Sequence, residues 1–143
     1  MPDELIEFVS EDVDFTLPNQ EPVAAWLTTI IQNHPFQLQN LTYIFCSDEY
    51  LLEINQEYLD HDTYTDIITF NNADEPEIIE SDIFISIDRV KENAANLNIP
   101  FLDELHRVMA HGVLHLLGYD DKSPELKQLM RTAEDNCLSL RKF

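Results

Sequence analysis

Two histidines four residues apart, His111 and His115, stand in the stretch His111-Gly-Val-Leu-His115-Leu-Leu-Gly118-Tyr-Asp-Asp121. On a helix that spacing projects both imidazoles from one face, one turn apart. Gly118 is suited to end such a helix by taking a left-handed conformation at its C-terminus. The segment after it can fold back and carry a carboxylate, Asp120 or Asp121, towards the two rings. Spacing alone does not choose between the two acids. Two nitrogens and one oxygen converging on a point, with a fourth position open, form the donor set of a hydrolytic zinc centre. A carboxylate in place of a third imidazole adds negative charge, acidifies a bound water less and makes the site more tolerant of manganese. The metalloprotease pattern puts a glutamate directly after the first histidine as general base. Here that residue is Gly112, which disfavours a peptidase mechanism.

The elements that must position these groups follow from periodicity and punctuation. The metal-bearing helix is expected over about 102–117, after the break at Asn98-Ile-Pro100. Ser123-Pro124-Glu125 reads as an N-cap with proline at the first helical position, opening a last helix to about Leu140. Upstream, residues 4–9 suggest a first strand, and Asn19 or Gln20 begins a helix whose stripe Val23, Trp26, Leu27, Ile30 and Ile31 makes Trp26 a core residue. Residues 41–46 form a second strand, Ser47 caps a helix ending near Leu59, and 60–65 is a polar loop in which His61 reads as surface. Residues 66–70 form a third strand, 71–81 an acidic mobile hairpin or connection, and 82–87 the clearest alternating strand. Asp88 is expected to cap a short helix over 89–97. The sum is one α/β domain of the α+β type over residues 1–143. A single mixed sheet of three to four strands is packed by about five helices, with the metal site on helix 102–117.

Composition sets the remaining bounds. The chain has 143 residues, 44% of them apolar and 25% charged, ordinary for a soluble protein. The longest apolar runs are too short to span a bilayer, and Met1-Pro-Asp-Glu does not open a signal peptide. Cys46 and Cys137 read as buried thiols, and a cytoplasmic protein is expected. Net charge is −20, and its distribution is uneven: residues 1–88 hold 20 acids and no Lys or Arg, whereas residues 89–143 hold 8 acids and all 8 bases. An acidic solvated surface accounts for this. So does a C-terminal part facing a phosphate backbone while the acidic part meets a basic protein.

Two blocks carry a family resemblance. The stretch 111–121 resembles the signature H-G-x-L-H-L-x-G-Y-D-H of the YbeY family of rRNA maturation factors, zincin-like endoribonucleases, and matches all but its last residue. Asn55-Gln-Glu-Tyr58-Leu-Asp-His-Asp62-Thr-Tyr-Thr65-Asp66-Ile-Ile-Thr-Phe70 is similar to the family's N-x-x-Y-R-x-x-[DN]-x-P-T-D-V-L-S-F. The resemblance implies His111, His115 and Asp121 as metal ligands, the last in place of a histidine. It implies one zinc ion per chain, with Mn or Ni able to stand in its place. It also implies endonucleolytic cleavage of ribosomal RNA, at the small-subunit 3′ end, with the ribosomal small subunit or basic ribosomal proteins as partners. Two positions depart from the second block. The family's arginine, implied to contact RNA or developing phosphate charge, is Leu59 here, and its proline is Tyr64.

Four further residues take candidate roles. Glu104, two helical turns before His111 and matching a family glutamate, reads as a proton acceptor or as an orienter of the ligands. The alternative is a solvated acid complementing the helix dipole. Arg107, one turn before His111, reads as a phosphate contact or as a surface ion pair. Asp66 reads as a structural anchor for the loop 59–65, and His106 as helix packing or surface. The competing functions are a metal-dependent endoribonuclease, a ribosome-assembly factor with a structural metal, and a small-molecule metallohydrolase.

Overall fold

The computed structural model describes residues 5–59 and 65–143, Leu59 by its backbone alone. The positions His61, Asp62 and Tyr64, and the side chain of Leu59, therefore lie outside the described residues. In chain order the elements are β1 (Ile6–Ser10), α1 (Gln20–Gln32), β2 (Gln37–Cys46), α2 (Asp48–Leu59), β3 (Ile67–Asn71), β4 (Ile78–Ser86), α3 (Ile87–Leu97), α4 (Phe101–Leu116) and α5 (Pro124–Ser139). The sheet order is β1-β2-β4-β3. β1, β2 and β4 run parallel, with Phe8 beside Tyr43 and Tyr43 beside Ile83. β3 closes one edge antiparallel to β4, with Ile67 opposite Ile85. This is the mixed sheet with about five helices that the sequence implies.

Three boundaries differ from expectation. β4 begins at Ile78 rather than Asp82, because Ile79 and Ser81 already face inward while Glu80 is only partly covered. The density of acids in 71–81 masks that alternation; the segment is half strand, half turn. β2 likewise starts at Gln37, with a register shift between Leu38 and Asn40. The cap of α3 is Ser86, whose hydroxyl accepts from the Arg89 amide at 3.0 Å, and not Asp88. Asp88 instead accepts the Asp48 amide at 3.0 Å, tying the start of α2 to that of α3.

The helix that bears the histidines is fixed against the sheet by two features. Gly112 lacks the Cβ that would come within 3.0 Å of Ile83 and 3.1 Å of Ile67, so α4 sits close on β4 and β3. The Tyr43 hydroxyl, fully buried, donates to the Met109 carbonyl at 2.9 Å. On the far side Trp26 is 4% exposed, and its indole N–H donates to the Cys137 carbonyl at 2.7 Å, joining α1 to α5. Cys46 and Cys137 are buried free thiols. Among the described residues no helix is long and apolar enough to cross a membrane.

Candidate metal centre

His111 and His115 lie on the last two turns of α4, and the turn that follows has the geometry of a Schellman cap. Gly118 sits at φ 107°. Its N–H donates to the His115 carbonyl at 3.1 Å, and the Tyr119 N–H donates to the Leu114 carbonyl at 3.0 Å. A side chain with a Cβ is strained at that φ, so the glycine is what lets the chain reverse there. The reversal returns Asp121 to the histidines, while the Asp120 carboxylate accepts the Asp121 amide at 2.7 Å. Asp120 thus braces the turn and Asp121 faces the rings.

The two Nε2 atoms are 3.1 Å apart, and Asp121 Oδ2 is 3.7 Å from each. Bonds of about 2.0–2.1 Å in a tetrahedral zinc site put neighbouring donors about 3.3–3.5 Å apart. The triangle matches that spacing to within a few tenths of an ångström, and its two-nitrogen, one-oxygen chemistry suits a borderline divalent ion. Among the described residues this is the one group of three His, Cys, Asp or Glu donors lying within 4.8 Å of one another. Side-chain exposures of 23% for His111, 34% for His115 and 39% for Asp121 leave the triangle open to solvent on one side.

Behind His111 stands a residue that sequence reasoning did not single out. Glu134, on α5 and 6% exposed, places Oε2 2.6 Å from His111 Nδ1, so the ring donates its Nδ1 proton and turns Nε2 towards Asp121. Such a carboxylate on the outer nitrogen fixes tautomer and ring orientation and raises the basicity of the ligating nitrogen. The available signal was an acid inside the apolar stripe of α5, between Met130 and Cys137, both buried. Burial opposes the imidazolium of His111, but the hydrogen bond and charge of Glu134, with Asp121 and Asp66, hold its pKa above the ordinary histidine value. Burial likewise works against ionised Glu134, yet the hydrogen bonds from His111 and Arg107 keep its carboxyl below the usual range.

Arg107 donates to Glu134 at 2.9 Å and to Asp135 at 2.7 Å, so its guanidinium is engaged with two carboxylates of α5. Its side chain braces the acid that braces His111. Glu104 is 6% exposed, which rules out the solvated-acid reading, and its Oε1 has no hydrogen-bond partner. Burial first, and the neighbouring charge of Asp66 next, push its pKa up. Asp66, at the foot of β3, is itself pushed up by burial, with the His111 charge acting against that. Glu104, Asp66 and Glu134 therefore form an acidic surround on the sheet and α5 side of the ligands. His106, on the same helix, is packing: its ring stands edge-on to Trp26 and Phe143 and accepts from Arg141 at 2.9 Å.

Residues 6–141 match the family model described as Endoribonuclease YbeY. The chain is 53% identical to the endoribonuclease YbeY of Cytophaga hutchinsonii across the whole of both chains. It is 47% identical to that of Amoebophilus asiaticus, over 94% of this chain and 91% of the relative. The fold matches the solution structure of TM1509 from Thermotoga maritima, with TM-score 0.62 and 24% identity, covering 94% of this chain and 89% of that one. A family match from β1 to the end of α5, with identity of this order over full length, establishes that the chain belongs to the endoribonuclease YbeY family.

Proposed function

We propose that the protein is a metal-dependent endoribonuclease that cleaves ribosomal RNA during small-subunit maturation, with His111, His115 and Asp121 holding one zinc ion. The observation that carries this reading is the open triangle of three donors at the surface end of α4. Structural zinc is normally closed by four protein ligands, whereas hydrolytic zinc keeps three and an exchangeable position. When bound, the ion supplies Lewis acidity towards a phosphoryl oxygen and lowers the pKa of a water.

The chain's own groups divide the remaining work. Glu134, held by Arg107, keeps His111 with its Nδ1 protonated and its Nε2 free to ligate. Gly112 presents no side chain at the position where a peptidase carries its base, and that position faces Ile83 and Ile67 of the sheet rather than the donors. Proton acceptance falls to Asp121, to solvent, or to Glu104, whose unpartnered Oε1 stands among Asp66, Arg107 and Glu134. The nucleophile is a water or the 2′-hydroxyl next to the scissile phosphate; a 2′,3′-cyclic phosphate end on the product identifies the second route. Residues 1–88, with 20 acids and no Lys or Arg, suit a basic ribosomal protein as neighbour.

The deciding experiment is incubation of zinc-loaded protein with precursor small-subunit RNA. Cutting is expected with wild type, and loss of cutting with chelator or with a folded His115→Ala variant. RNA left intact by fully zinc-loaded protein overturns the proposal.

A further inference from the structure

Eight cations serve a chain of net charge −20, and four of them are engaged by acids or a ring. Arg89 is paired with Asp48 and Glu92, Arg107 with Glu134 and Asp135, and Arg141 with Asp103. Lys91 lies over the Phe101 ring at 5.9 Å, and Lys142 stands at the opposite end of α5, beside Trp26 and Phe143. Among the described residues Lys122, Lys127 and Arg131 are exposed and take part in no ion pair. Lys122 follows the ligand Asp121 directly, and Lys127 and Arg131 are one turn apart on α5, about 6 Å along its axis.

Their side of α5 is set by Glu134. Residues at i, i+3 and i+7 share a helix face, so Arg131 and Lys127 stand on the shoulder from which Glu134 reaches His111. The Arg131 charge lowers the pKa of the Glu104 carboxyl, the smallest of the influences on it. The two acids on this shoulder, Glu134 and Asp135, share the single guanidinium of Arg107, which offsets one of their two charges. A chain that elsewhere repels polyanions thus carries three exposed, unpaired cations on the loop and the α5 face that follow Asp121 directly.

We propose that Lys122, Lys127 and Arg131 form a phosphate track along which a single strand of RNA approaches the centre at His111, His115 and Asp121. The inference rests on the endoribonuclease reading and adds the path of the substrate. Three phosphate contacts on a single strand give a salt slope of about −2, each contact contributing about −0.7 and roughly fivefold in affinity at 0.1 M salt.

The test is fluorescence anisotropy of zinc-loaded full-length protein with a short labelled 2′-O-methyl polyuridylate, across a range of salt. Lys127→Gln/Arg131→Gln is expected to bind about 25-fold more weakly at 0.1 M salt and to lose about 1.4 from the slope. Zinc content should be unchanged. Lys142→Gln, at the far end of α5, is the control and is expected to match wild type. Binding by wild type with an unchanged slope in the double variant, or an equal loss in Lys142→Gln, overturns the track and leaves the endoribonuclease reading standing. No RNA binding by zinc-loaded wild type overturns both.

Discussion

Helix α4 carries a buried imidazole, His106, and a partly buried one, His111, and the two are treated in opposite ways. At one end His106 lies between Trp26 and Phe143 with the Arg141 guanidinium donating to its Nδ1. Burial, and then that positive charge, push its pKa down to about 4. At the other end His111 donates from its Nδ1 to Glu134, and its outer nitrogen faces Asp121. A cation on the inner nitrogen makes an imidazole a neutral packing group; an anion there makes it an electron-rich ligand. Two histidines five residues apart on one helix thus acquire different chemistry from what α5 and the C-terminal segment place behind each.

The comparison can be broken at either end. The largest effect is expected from Trp26→Ala, which removes the wall beside His106 and the indole donor to the Cys137 carbonyl, leaving that carbonyl only the Leu140 amide. It should cost about 3–5 kcal/mol in urea unfolding, while any surviving folded fraction binds zinc with wild-type affinity.

The next effect is the contribution of His106 to the pH dependence of stability. The folded protein keeps this ring neutral down to about pH 4, whereas the unfolded chain protonates it near 6.5. The unfolded state therefore binds the extra proton, and stability falls as pH drops from above 6.5 towards 4, by about 3 kcal/mol if the full shift is realised. His106→Phe should remove that contribution, measured as the change relative to wild type in the difference in unfolding free energy between pH 7 and pH 4.

At the ligand end, Glu134→Ala should weaken zinc binding by about 10–100-fold, equivalent to about 1.4–2.7 kcal/mol. Glu134→Gln, which keeps an acceptor for the His111 proton, should lose less. Competition with a chromophoric chelator reads both, and equal affinity in all three proteins removes Glu134 from the centre. The smallest effect is expected from Ser123→Ala. The Ser123 hydroxyl accepts the Leu126 amide at 3.1 Å and caps α5 just after Asp121; its loss should cost about 1 kcal/mol of stability.

Local rules account for what could be read from the residues in order. The i, i+4 histidines, the helix stop at Gly118, the Ser123-Pro124 start and the apolar stripe through Trp26 are short-range patterns, and α4, α5 and α1 form as those patterns require. Asp88 and Ser86 are both good capping residues by type, so local sequence does not separate them. The choice between them depends on where the Arg89 and Asp48 amides lie in space. The strand at 78–81 was hidden because its acids lie on the less-covered side of a sheet whose other face is core.

The sequence by itself determined the ligand types, their helical spacing and the reversal that returns an acid to them, since each depends on residues within about ten positions along one backbone. The resemblance of residues 111–121 pointed to Asp121, and the structure supplies the reason, because Asp120 is spent on the turn's own amide. Tertiary structure alone decided what stands behind the ligands. Glu134 is 23 residues from His111 and Arg107 is 27 from Glu134. Contacts at that separation exist only once α5 has docked on α4, and no periodicity along the chain encodes them. The same docking turns Arg107 from a free cation into a brace between α4 and α5.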